Sequence, residues 1–219
     1  MRRLFSWIWP IVQERAEGRH GPIEARWENG RLVLNTPRAN QSLGSLHRVW
    51  RQVFAWVGLR KTPPANVLLL GLGAGSVPRI LRHELRLPCP ITAIEIDPAV
   101  IAMGRRLFGL GAIADLEVIE GDAIVAIHAL RQRYELVLVD LFDDADLARG
   151  IDTAGFARAL RDRCAGMLCF NTMAHDTASA ARCDKVKAHL ARSFGSVDEL
   201  RLEGVNRVFV ARCSPRRSD

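Results

Sequence analysis

Short apolar runs alternate along most of this chain with stretches in which apolar residues recur every three or four positions, the pattern of a sheet layered between helices. Val67 to Leu70 is a continuous apolar run, as expected of a strand covered on both faces. Val77, Ile80, Leu81 and Leu85 then share one helical stripe. Ile91 to Ile96 predicts the next strand. Asp97-Pro98 reads as a helix N-cap followed by proline at the first helical position, with Val100, Ile101, Leu107 and Phe108 as the buried face. Strands at 116–119, 136–139 and 167–170 alternate with helices at 123–130, through Phe156 and Leu160, and through Val186 and Leu190. This order requires a parallel sheet with right-handed crossovers. Val197 to Leu202 and Val208 to Ala211 then predict a terminal antiparallel pair.

Ahead of that series, Pro22 to Asn35 alternates loosely around Asn29-Gly30, the residue pair that a tight hairpin turn prefers because both accept positive φ. From Leu43 to Leu59 the spacing of Leu46, Val49, Trp50, Val53, Phe54 and Val57 is helical, and Lys61-Thr62-Pro63-Pro64 breaks the chain. The expected organisation is a basic N-terminal segment over 1–61, an α/β domain over 62–213 and a basic tail over 214–219.

Composition narrows the class without naming a chemistry. At 219 residues, 48% apolar and 25% charged, the chain is expected to be a soluble globular protein with one main domain. No run reaches the roughly 20 apolar residues of a membrane span. Two arginines ahead of Leu4-Phe5-Ser6-Trp7-Ile8-Trp9-Pro10 resemble a signal peptide only superficially. The run is short, holds bulky tryptophans and lacks a small-residue cleavage site, so it reads as a docking or helix-starting segment. Five cysteines without a Cys-x-x-Cys pair fit small core residues in a reducing cytoplasm, and six histidines without ligand spacing are expected on solvated helix faces. No metal site is expected. Net charge is uneven: residues 1–61 hold eleven basic residues against four glutamates and carry the whole +7. Such a segment can attract nucleic acid, anionic lipid or an acidic protein, or be a solvated basic face.

Candidate chemistry begins at Gly71-Leu72-Gly73-Ala74-Gly75-Ser76, a loop between the first strand and a helix whose glycines permit a tight turn and close approach of a ligand. Glu95 lies near the end of the second strand, where a carboxylate can accept ribose hydroxyls. Ser76 departs from the dinucleotide fingerprint, and Gly121-Asp122-Ala123 after the third strand offers a carboxylate to an adenine amino group. Asp122 also reads as a plain helix N-cap. Asp140 ends the fourth strand at the carboxyl edge of the sheet, where open α/β sheets bind ligands. Asp143, Asp144 and Asp146 follow it in a loop lacking basic residues. Such a cluster can orient an amine and accept its proton, and a solvated turn accounts equally well for Asp144 and Asp146.

The ordered motifs Gly71-Leu72-Gly73-Ala74-Gly75, Ile94-Glu95-Ile96-Asp97-Pro98, Gly121-Asp122-Ala123 and Val139-Asp140-Leu141-Phe142-Asp143 resemble those of the spermidine synthases and their methyltransferase-fold relatives, over about residues 22 to 212. The resemblance implies a Rossmann-like class I methyltransferase fold, with a mostly parallel seven-stranded sheet, helices on both faces and a short N-terminal hairpin. It implies that Gln41, Gly71, Gly73, Gly75, Glu95, Asp122 and Ala123 hold S-adenosylmethionine or its decarboxylated form. Asp140 would stand beside an amine nucleophile, with Asp143 completing an Asp-x-x-Asp pair. It is compatible with a dimer. Two features depart from the synthases. Their glycine loop usually carries Asp where this chain has Ala74, an acid that would face the amine end of the decarboxylated ligand. Their polyamine pocket uses tyrosines, whereas this chain has Tyr134 alone.

The leading expectation is therefore transfer of an alkyl group, methyl first, from an S-adenosyl sulfonium to an amine or other small nucleophile. Aminopropyl transfer to a polyamine is the first alternative, and a noncatalytic nucleoside-binding module the second. Nucleic acid ranks lower as acceptor because Asp140-Leu141-Phe142-Asp143 lacks a Pro-Pro-aromatic signature.

Overall fold

The computed structural model describes residues 2–36, 40–42, 45–143 and 146–213. A single helical turn, α1 (Arg2–Phe5), leads into an antiparallel sheet of β1 (Ile11–Gly18), β2 (Gly21–Glu28), β3 (Arg31–Asn35) and β4 (Asn40–Ser42) in that spatial order. The predicted hairpin is β2–β3, turning at Asn29-Gly30 with both residues at positive φ. The flanking strands were not legible. β1 changes register between Val12 and Glu14, and this bulge disrupts the period-2 alternation by which a strand is recognised.

After α2 (Ser45–Trp56) the chain enters the main sheet. β5 (Val67–Leu70) is followed by α3 (Ser76–Arg79), which widens into a π turn over Ile80–Glu84 where Leu85 N–H bonds to Ile80 C=O. Then come β6 (Ile91–Glu95), α4 (Pro98–Leu107), β7 (Leu116–Glu120), α5 (Ala123–Ala129) and β8 (Tyr134–Val139). A small arm of β9 (Phe142–Asp143) and β10 (Asp146–Leu147) precedes α6 (Ala154–Arg163), β11 (Cys164–Met173), α7 (Thr177–Ser193), β12 (Ser196–Leu202) and β13 (Asn206–Arg212). Among the described residues the central sheet has seven strands in the order β12-β13-β11-β8-β5-β6-β7. The five strands from β11 to β7 run parallel, and β13 is antiparallel to both of its neighbours, β11 and β12.

The continuous apolar runs are explained by cover on both faces. Leu68 and Leu70 of β5 and Val137 and Val139 of β8 pack with Ile127 of α5, Leu160 of α6 and Leu190 of α7. Their neighbours Val67, Leu69, Leu136 and Leu138 pack instead with Val49, Trp50 and Val53 of α2 and with Ile80 and Leu81. A third cluster joins Ile23, Ala25 and Leu34 of the N-terminal sheet to Val100, Met103 and Phe108. Asp97 adds a polar tie there. It caps α4 through Ala99 N–H (2.9 Å), and its second oxygen accepts from Arg19 N–H in the β1–β2 turn (2.7 Å). No helix among the described residues is long and apolar enough to cross a membrane.

Candidate functional site

The chain runs from β5 to β6 to β7 on one side of the sheet and returns to β8 on the other, so the connections that leave the neighbouring strands β5 and β8 diverge at the carboxyl edge. That is the topological switch point where open α/β sheets bind ligands. A Cβ at Gly71, whose φ is +91°, would lie 2.1 Å from the backbone oxygen of Asp140. Only glycine lets the two strand ends approach this closely.

A cavity of about 520 Å³ opens at this point, within the range of small-molecule sites. Gly71 and Gly73 line it, with Glu95, Asp122, Ala123, Asp140 and Asp143. Gly75 does not. It begins α3, and a Cβ there would strike Leu110, so its role is packing. Gln41 lies in β4, and nothing of its side chain is among the described residues; Asp144 and the tail from 214 also fall outside them. Ala74 is buried with Ile23, Ala25 and Met103 and lies off the cavity wall, contrary to the expectation that this position faces the ligand.

Glu95 braces the glycine loop. One carboxylate oxygen accepts from Leu72 N–H (3.1 Å) and Gly73 N–H (2.9 Å), the other from Asp97 N–H (3.1 Å). A carboxylate has about four acceptor positions, so one remains for a ligand hydroxyl. Burial pushes its carboxyl above the ordinary range, and the three amides oppose that rise. Asp122 caps α5 through Ile124 N–H (2.8 Å) with one oxygen, and its other oxygen is outside that bond. The capping and ligand-binding readings of Asp122 are therefore compatible.

Asp140 is held by side chains on both of its oxygens. Trp50 Nε1–H donates to one oxygen (2.9 Å) and Asn171 Nδ2–H to the other (2.9 Å). Asn171 Oδ1 in turn accepts from Asn206 Nδ2–H (3.0 Å), which orients the Asn171 amide. Burial pushes the Asp140 carboxyl up to about 6, the Asn171 and Trp50 hydrogen bonds oppose this, and Glu95 adds to it. The group is thus an anion at neutral pH and a proton acceptor of useful strength.

Asp143 sits 3.0 Å from His20 Nδ1, and His175 Nε2 lies 3.5 Å from Asp146. The acidic loop that lacks basic neighbours in sequence acquires them in space. Arg19, His20 and Arg149 line the cavity, together with Glu203, which Arg48 and Gln52 hold from α2. The histidines are not uniformly on solvated faces, since His47 is buried against Glu84 (2.6 Å) and burial lowers its pKa. The described cysteines are free thiols, four of them buried. Sequence reading missed Trp50, Asn171, Asn206, Arg19 and His20. Only for the last two was there a local signal, Gly18-Arg19-His20-Gly21, whose glycines pair across a two-residue turn.

No family model matches the sequence. A polyamine aminopropyltransferase of Neisseria meningitidis serogroup B is 32% identical over 114 residues, 51% of this chain and 43% of that protein. The eEF1A lysine and N-terminal methyltransferase of Danio rerio is 31% identical over 113 residues, 48% of this chain and 16% of that protein. Both alignments span less than half of the relative. A spermidine synthase in complex with the transition state analogue AdoDATO superposes with a TM-score of 0.72 at 14% identity, over 93% of this chain and 74% of that one. Human methyltransferase-like protein 13 in complex with SAH superposes at 0.65 and 21% identity, over 80% and 85%. The chain has the spermidine synthase-like class I methyltransferase fold.

Proposed function

We propose that this chain, built on that fold, is an S-adenosylmethionine-dependent transferase that moves a methyl group to an amine or other small nucleophile. The observation that carries the reading is the Asp140 carboxylate, fixed by Trp50 and Asn171 in the same cavity that the glycine loop, Glu95 and Asp122 line. Relatives and structural neighbours whose names include aminopropyl and methyl transfer, and complexes with SAH and AdoDATO, support a sulfonium donor. Glu95 and Asp122 would hold the nucleoside. The nucleophile attacks the methyl carbon as the carbon–sulfur bond breaks, the electron pair stays on sulfur, and Asp140 takes the proton that an amine loses. Alignment of the reactants supplies most of the acceleration. No step calls for a metal. The buried free thiols support a reducing compartment such as the cytoplasm.

One feature favours methyl over aminopropyl transfer. Arg19 and Arg149 line the cavity, where they would attract the carboxylate of the undecarboxylated donor. Calorimetric titration of both donors tests this. S-adenosylmethionine is expected to bind at least as tightly as its decarboxylated form, and a strong preference for the latter overturns methyl transfer in favour of aminopropyl transfer. With an acceptor in hand, Asp140→Asn is expected to lose about 100-fold to 10,000-fold in turnover while donor affinity stays near wild type. Wild-type turnover in that variant would remove Asp140 from the mechanism.

A further inference from the structure

The N-terminal segment presents large apolar side chains to solvent: Leu4 is 74% exposed, Phe5 59%, Trp7 67%, Ile8 84% and Trp9 76%. They are held in that position. Ser6, buried between them, accepts from Asn29 N–H through its carbonyl (2.9 Å) and from Gly30 N–H through Oγ (3.0 Å), so the segment is pinned to the β2–β3 turn. The Trp7 indole lies over Gly30, where an added Cβ would come within 2.8 Å of its nitrogen. Gly30 also lines a second cleft, of about 560 Å³, between the N-terminal sheet and α2. Arg31, Arg51 and Arg79 line that cleft against one acid, Glu84. Glu84 is shared by Arg51 (3.0 Å) and His47, and Arg79 bonds to the Phe108 carbonyl. Arg31 makes no ion pair among the described residues. An apolar ridge and an electropositive cleft therefore meet at Gly30.

We propose that this face docks on an anionic phospholipid surface, with headgroup phosphate at the arginine cleft and Leu4, Phe5, Ile8 and Trp9 in the boundary between headgroups and acyl chains. Tryptophan favours that boundary because its ring is apolar and its N–H polar. Apolar burial combined with attraction to anionic lipid is how peripheral segments bind. The charge argues against the other occupants. A second copy would bring two basic clefts together, and the aliphatic Leu4 and Ile8 have nothing to stack on in nucleic acid.

The test is co-sedimentation of the full chain with vesicles of phosphatidylcholine alone and of an equal mixture with phosphatidylglycerol. Binding to the mixed vesicles, at least about tenfold weaker to phosphatidylcholine and reversed by added salt, is expected. Ile8→Ser/Trp9→Ser removes two side chains that the anchor at Ser6 does not use and is expected to lose about tenfold or more. Arg31→Glu is expected to lose about fivefold or more. Unchanged melting temperatures exclude misfolding as the cause. The proposal is overturned by failure to bind mixed vesicles, or by full binding of the Ile8→Ser/Trp9→Ser variant. It is equally overturned if that variant abolishes self-association, if Arg31 is needed for glycerol phosphate, or if either is needed for a short RNA, with no vesicle binding in each case.

Discussion

At the scale of single residues, the site turns on how two acids are stabilised differently. Glu95 uses most of its acceptor capacity on backbone amides, two of the glycine loop and one of Asp97, whereas Asp140 is held by side chains from α2 and β11. Removing a donor to a carboxylate disfavours its charged form. Trp50→Phe is therefore expected to raise the Asp140 pKa above its present value of about 6. With Asp140 as the proposed base its ionised form is the active one, so activity is expected to fall as pH drops through that pKa. The acidic limb of the pH–rate profile should then shift upward in the variant. A carboxyl-carbon NMR titration checks the same shift before an acceptor is known, and an unmoved pKa would make Trp50 a packing residue only. Glu95 and Asp140 were legible in the sequence because each ends an apolar run at the edge of a sheet. Trp50 was read only as part of a helical stripe. Its partner is 90 residues away, and no local pattern distinguishes an indole that packs from one that also donates a hydrogen bond.

At the scale of elements, the sequence reading succeeded where periodicity was strong and failed where it was interrupted. β5 and β8 were visible as apolar runs, while β1 was hidden by its bulge and α3 was taken for a longer regular helix than it is. The terminal hairpin was visible, but not the polar network that fastens it. Glu199 of β12 accepts from Arg207 Nε–H (2.9 Å) and Lys187 Nζ–H (2.8 Å), and Arg207 also reaches Asp184 of α7 (2.8 Å). The Arg207 hydrogen bonds, with help from Lys187, hold the Glu199 carboxyl far down, at about 2. A depressed carboxyl pKa contributes stability above the unfolded-state value, and that contribution is lost as pH falls toward the folded-state value. Glu199→Gln is expected to cost about 1.5–3 kcal/mol at neutral pH. The gap from wild type should close between pH of about 4.5 and 2. Urea unfolding at several pH values measures it. A gap independent of pH would mean that packing, not charge, fastens the hairpin.

At the scale of the whole molecule, the cavity is walled by distant parts of one chain: Arg19 and His20 from the N-terminal sheet, Glu95 and Asp140 from the central strands, Glu203 and Asn206 from the C-terminal hairpin. A ligand bound there stabilises all of them together. S-adenosylmethionine at 100 times its dissociation constant contributes about 2.7 kcal/mol. For a chain of this size that corresponds to a rise in melting temperature of about 5–11 °C. The rise is expected as the shift of one transition, read by scanning calorimetry, and NAD at the same concentration is expected to leave it in place. Splitting into two transitions, with only one of them moving, would show that the N-terminal sheet and the hairpin do not share the site.

The insertion of β13 between β11 and β12 also orders events on the ribosome. The glycine loop, Glu95 and Asp140 leave it well before Asn206. At about 5–20 residues per second, the interval from residue 140 to residue 206 is roughly 3–13 s. Once β11 has emerged, its long edge has no neighbour to pair with until residues 206–212 follow, and an apolar strand with an open edge is a template for aggregation. The nascent protein thus passes through an interval in which the glycine loop, Glu95 and Asp140 are present and its last strand is missing. Chaperone capture during synthesis should concentrate in that interval.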